Sequence, residues 1–102
     1  MKPCCEAYLN EQFGGDADVV GEIYSEYVTS LKDKIAEAAA ALEGAQWDVL
    51  DKAAHTIKGN ALAAGDTETA EAGIALRSTA KLQDRDGSAA LIAKLEGFSK
   101  EL

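Results

Sequence analysis

The sequence predicts an all-α protein, an antiparallel up-down four-helix bundle preceded by a short extra N-terminal helix. Three observations predict it: the only proline is Pro3, β-branched residues never cluster in alternation, and apolar residues recur three and four positions apart along most of the chain. A first short helix is expected from about Glu6 to Phe13, closed at Gly14-Gly15, where glycine can adopt a left-handed conformation. Asp16 then caps a long helix reaching Glu43, with Val20, Ile23, Tyr24, Tyr27, Leu31, Ile35, Ala38 and Leu42 as its apolar stripe and Gly44 as its stop.

The third helix is expected from Gln46 or Trp47 to Gly65, with Leu50, Ala53, Ala54, Ile57, Ala61 and Ala64 facing inward. Asp66 or Thr67 caps a fourth helix to about Leu82, for which Ala70, Ile74, Ala80 and Leu82 are the expected inward residues. A polar turn over 83–88 precedes a last helix whose Leu91, Ile92, Leu95, Phe98 and Leu102 again fall three and four apart. Loops this short place sequence neighbours antiparallel.

At 102 residues the chain fits one domain, 1–102, with 1–15 as the short helix and turn and 16–102 as the bundle. Hydrophobic residues at 47% and charged residues at 27% suit a folded soluble protein. A formal net charge of -8 argues against nucleic acid and anionic membranes as partners, and nothing in the composition demands more than a monomer. The start lacks the apolar run of a signal peptide, and no stretch approaches the roughly 20 apolar residues that span a bilayer, so a cytoplasmic location is expected. Cys4 and Cys5 can build neither a disulfide framework nor a tetrahedral zinc shell, and they read as reduced thiols in a frayed or lightly packed helix start.

On a helical wheel of the third helix with Leu50 at zero, the six inward residues lie within about 60° of that direction. His55, the chain's one histidine, falls at about 140°, Gly59 at about 180°, Leu62 at about 120° and Lys58 at about 80°. His55 is thereby predicted to face water. An imidazole has a reference pKa of about 6.5 and so offers a neutral nucleophilic nitrogen near pH 7. Lys58 and Gly59, three and four residues on, share its surface. The ammonium can offset about two negative charges on a phosphorylated ring, and Gly59 removes the side chain that would obstruct an approaching partner. Glycine inside a helix costs roughly 1 kcal/mol against alanine, so its presence asks for such a reason. Leu62 offers an apolar docking contact, and Asp51 joins it as a candidate partner-binding residue.

The segment His55-Thr56-Ile57-Lys58-Gly59-Asn60-Ala61-Leu62-Ala63-Ala64-Gly65 resembles the signature of histidine-containing phosphotransfer (HPt) domains: a histidine, then Lys-Gly one turn on, then a closing glycine. The likeness continues upstream through Phe13-Gly14-Gly15-Asp16 and the long helix, covering most of the chain. It implies a phosphorelay intermediary in two-component signalling, a phosphocarrier that is not itself an enzyme. By position, His55 would be the phospho-acceptor, Lys58 its charge partner and Gly59 the clearance residue. The implied partners are response-regulator receiver domains, with a hybrid sensor histidine kinase as a further candidate. No cofactor of its own is implied, since Mg²⁺ is expected in the partner receiver. Two residues depart from the pattern: Asn60 stands where Ser or Ala is usual, and Ala64 where a larger apolar residue is common.

Rival readings are weaker. A histidine kinase needs an ATP-binding domain and usually an acidic residue after its histidine, where Thr56 stands here; no phosphate-binding Gly-rich loop is present. One histidine and two adjacent cysteines make no recognised metal-ligand spacing, and the serines lie on separate elements with no paired base. The remaining alternative is a bundle that docks receiver or kinase domains without being phosphorylated.

Overall fold

The computed structural model describes all 102 residues and contains five helices: α1 (Pro3–Gln12), α2 (Ala17–Glu43), α3 (Trp47–Ala63), α4 (Thr67–Lys81) and α5 (Arg85–Lys100). Three connections within the bundle are three residues each, 44–46, 64–66 and 82–84, so α2 to α5 run up and down in turn. Each packs on its successor, and α5 closes the ring on α2. At about 1.5 Å per residue, the 27 residues of α2 span roughly 40 Å, which accounts for the 42 Å long dimension of the molecule.

Helix ends follow from local chemistry. The Asp16 carboxylate accepts from the backbone N–H groups of Asp18 and Val19, and that of Asp84 accepts from Gly87 N–H, each satisfying donors that the first turn leaves free. Helix α3 closes in a paired motif: Asp66 N–H donates to Ala61 C=O and Gly65 N–H to Leu62 C=O, with Gly65 at φ 73°. The same motif ends α2 and α4, but Ala45 (φ 52°) and Gln83 (φ 53°) take the left-handed position, while Gly44 keeps φ -85°. Helix α2 ends at Glu43 with Gly44 as its C-cap, as expected, and the left-handed residue follows at Ala45.

The core is a continuous cluster that includes Leu9, Leu31, Leu50, Ile57, Leu76 and Leu95, and the inward faces foreseen for the second, third and last helices are packed against it. Three expectations are corrected. The chain start is neither frayed nor lightly packed: α1 begins at Pro3 and docks with Cys5 and Leu9 fully buried. Helix α5 begins at Arg85, inside the expected polar turn, because Asp84 is its cap and buried Ser88 donates to Thr79 Oγ1. Helix α4 is rotated: Ala70 and Ala80 are buried as expected, but Ile74 is 50% and Leu82 78% exposed, and Thr69, Ala72, Gly73 and Leu76 turn inward instead.

Gly73 explains that rotation. A Cβ there would stand 3.1 Å from the Lys58 nitrogen and 3.3 Å from the Ala54 carbonyl oxygen, so its absence lets the α4 backbone lie directly on α3. The alanines of α3 allow the approach from the other side. The two backbones thus meet closely at residues 54–58 of α3, the turn that carries His55.

At one end of the bundle a buried polar cluster ties α1 down. Asp66, fully buried, accepts from Lys2 Nζ (2.6 Å), Tyr27 Oη (2.7 Å) and Thr69 Oγ1 (2.8 Å). Lys2 also pairs with Glu68, and its backbone N–H donates to the Tyr24 hydroxyl. Burial alone would raise the Asp66 pKa, but the Lys2, Tyr27 and Thr69 hydrogen bonds outweigh it and hold the carboxyl below the usual range. Tyr27 is pushed above its ordinary value by burial and by the carboxylate it faces. Burial and the nearby Asp66 charge push the Cys5 thiol up to about 12, so it stays protonated.

Candidate functional site

His55 lies at the middle of α3, exposed, on the side opposite the alanine-rich face, as the wheel predicts. Gly59 and Leu62 are exposed on the same side, Leu62 at 51%. A Cβ added at Gly59 would meet nothing within 4 Å, so no packing inside the chain requires glycine there. Gly21 and Gly97 are equally free, so openness alone does not mark a site. What distinguishes Gly59 is its place one helical turn beyond the histidine.

Lys58 is half-buried between α3 and α4. The chain's ion pairs are Lys2 with Asp66 and Glu68, Lys34 with Glu37, and Arg77 with Asp51, which leaves the Lys58 ammonium unpaired. It lines a shallow cleft with Ile74, Arg77, Ser78 and Lys81. Three cations therefore share one cleft on a chain whose net charge is -8, and one of them, Arg77, reaches His55.

Sequence reasoning missed Arg77. From α4 its Nε donates to Asp51 Oδ1 at 3.0 Å, and its Nη1 stands 3.0 Å from His55 Nδ1. Asp51 precedes His55 by one turn of α3, so the planar guanidinium bridges two residues of one helix face. Asp51, expected to bind a partner, pairs with Arg77 within the chain and stays partly exposed. Arg77 follows Gly73 by one turn, and the close α3–α4 approach at Gly73 brings the guanidinium within reach. The only local sign of it was a carboxylate four residues before the histidine, and reading it required the true rotation of α4.

The departures from the family pattern are absorbed locally. Asn60 Nδ2 donates to Ser30 Oγ at 2.8 Å, joining α3 to α2, and Ala64 is buried beside an open cleft of about 270 Å³ lined also by Ile23, Glu26 and Tyr27. The Thr56 hydroxyl donates to Lys52 C=O at 3.1 Å, so its hydrogen is held within the helix. Cys4, Cys5 and Asp66 lie close enough to form a ligand set, yet both Asp66 oxygens are already taken by Lys2, Tyr27 and Thr69. No helix is long and apolar enough to cross a membrane.

An exposed histidine at the centre of one helix of a four-helix bundle, with a cation on its ring and a lysine one turn further along, is the arrangement of a phosphotransfer module. Residues 22–102 match the family model described as "Hpt domain", and the chain belongs to that family. Hpt domains are phosphocarrier modules of two-component systems, without kinase activity, that interact with receiver domains and kinases. Helix α1 and the first residues of α2 lie outside the matched region. Neither the curated proteins nor the solved structures contain a significant match to the chain.

Proposed function

We propose that this chain is a phosphorelay intermediary: His55 accepts a phosphoryl group from the aspartate of one receiver domain and passes it to another. The observation that carries this reading is the placement of the imidazole, in water at mid-helix with the unpaired Lys58 beside it. A ring nitrogen attacks the aspartyl phosphate; the P–N bond forms as the P–O bond to the receiver breaks. The carboxylate departs with the electron pair, and the ring gives up its N–H proton. Lys58 offsets the added charge, and Mg²⁺ held by the receiver would neutralise the transferring group. Gly59 leaves room for the receiver's acidic site, while Leu62 and Ile74 flank it with apolar surface.

His55→Gln separates relay from docking alone. The variant should lose phosphoryl uptake completely while binding a receiver with nearly unchanged affinity by calorimetry. Normal signalling by a cell carrying only this variant would show instead that docking suffices.

A further inference from the structure

We propose that Arg77 is a positioning residue for His55: it holds Nδ1 as a hydrogen-bond acceptor, which fixes the ring tautomer at rest and prolongs the life of a phosphoryl group on Nε2. The inference deepens the relay reading and rests on it for the phosphorylated state alone. A guanidinium has only N–H donors and no acceptor, and it does not give up its proton. Arg77 Nη1 at 3.0 Å from Nδ1 therefore requires a lone pair on Nδ1, and the neutral ring must carry its hydrogen on Nε2. The guanidinium is not free to swing away at no cost, because its Nε is held by Asp51 at 3.0 Å and its helix is pressed on α3 at Gly73.

The two ends of the transfer feel this differently. Nε2, the nitrogen that Arg77 leaves uncovered, must shed its hydrogen before it can attack phosphorus, either to a base or by moving it to Nδ1 with loss of the Arg77 contact. Uptake is thereby slowed. In the product, Nε2 bears the phosphoryl group, the ring N–H proton has gone to solvent, and Nδ1 keeps its lone pair. Arg77 then donates to a group that can only accept. A phosphoimidazole loses its phosphoryl group to water fastest once the free ring nitrogen is protonated, since the ring then leaves as a neutral imidazole. With a guanidinium N–H already on Nδ1, that proton has to displace it first. Arg77 thus favours storage over rapid uptake and loss. Lys58 and Lys81 share the cleft and add positive charge without touching the ring nitrogens.

The test uses the whole chain, in which one histidine makes the ring spectrum unambiguous. Long-range ¹H–¹⁵N correlation of the unphosphorylated protein should show His55 mainly as the Nε2–H tautomer. Arg77→Gln, whose amide oxygen can accept from Nδ1–H, should move the population toward Nδ1–H, and Arg77→Lys, still a donor, should largely keep Nε2–H. After loading with phosphoramidate, a donor that needs no receiver, the phosphohistidine half-life in Arg77→Gln should fall about three- to tenfold, the factor expected for one ordinary hydrogen bond. Arg77→Lys should fall less. Circular dichroism will confirm folding, which the partly exposed position of Arg77 favours. An unchanged tautomer ratio and half-life in Arg77→Gln would overturn the proposal and leave Arg77 as a simple ion-pair partner of Asp51. If the wild-type chain takes no phosphate from an aspartyl-phosphorylated receiver but the tautomer shift is seen, the role of Arg77 at the ring is supported and the relay fails.

Discussion

Helix α3 and the turn that follows it hold two polar groups in settings built oppositely. In that turn, at the start of α4, Asp66 is sealed: three donors occupy the carboxylate, and α1 lies over it. At the middle of α3 His55 stands in water with one nitrogen engaged and the other free. The first arrangement uses polar groups to hold the fold together, since a buried charge left unpaired would open it. The second leaves the reactive ring accessible where the fold does not need it. The contrast implies that stability and phosphoryl chemistry can be altered separately in this chain.

The largest separation should come from Asp66→Ala, which leaves the Tyr27 and Thr69 hydroxyls without their acceptor and Lys2 with Glu68 alone, and is expected to cost about 3–5 kcal/mol in denaturant unfolding. The same carboxylate predicts a pH dependence. Its pKa is depressed in the folded state, so its contribution is fully present above the ordinary carboxylate value of about 4 and is lost as pH falls through its own lower value. Thermal unfolding followed from pH 6 downward should show a loss that Asp66→Asn flattens, and an identical acid profile in both proteins would remove Asp66 from its central place.

Gly73→Ala tests whether the helix contact sets the histidine's neighbour. Overpacking against the α3 backbone, partly offset by alanine's better helix propensity, should cost on the order of 1–2 kcal/mol. It should also loosen Arg77 from Nδ1, visible as a tautomer shift like that of Arg77→Gln. Gly59→Ala should do the reverse at the open site, raising stability by about 0.5–1 kcal/mol because no atom obstructs the new methyl, while slowing transfer from a receiver. Faster or unchanged transfer in that variant would show that clearance is not why glycine stands there. Ala45→Gly and Gln83→Gly relieve left-handed strain at two helix ends and should each add a few tenths to about 1 kcal/mol without touching transfer.

Much of this was legible in the chain itself, for definite reasons. Helix α3 has a dense alanine stripe with sharp periodicity, so its rotation, and with it the exposure of His55, followed from spacing. Helix α4 resisted the same treatment because, Leu76 apart, its buried positions are small or polar, among them Thr69, Ala72 and Gly73, while Ile74 and the capping Leu82 face solvent. Hydropathy points the wrong way when close backbone approach selects small residues. Arg77 was lost with that rotation. The docking of α1 was hidden because it depends on Lys2 finding Asp66, a pair 64 residues apart. Asp84 could cap α5 from within a segment that reads as a loop, since Gly87 and Ser88 are common in both.

The central claim is chemical and admits a direct measurement. The chain should be incubated with an aspartyl-phosphorylated receiver and Mg²⁺, separated, and its bound phosphate tested for stability in acid and in base. The account predicts phosphate on the wild-type chain that acid releases and base does not, and none on His55→Gln. Phosphate that survives acid, or that remains on His55→Gln, would contradict it.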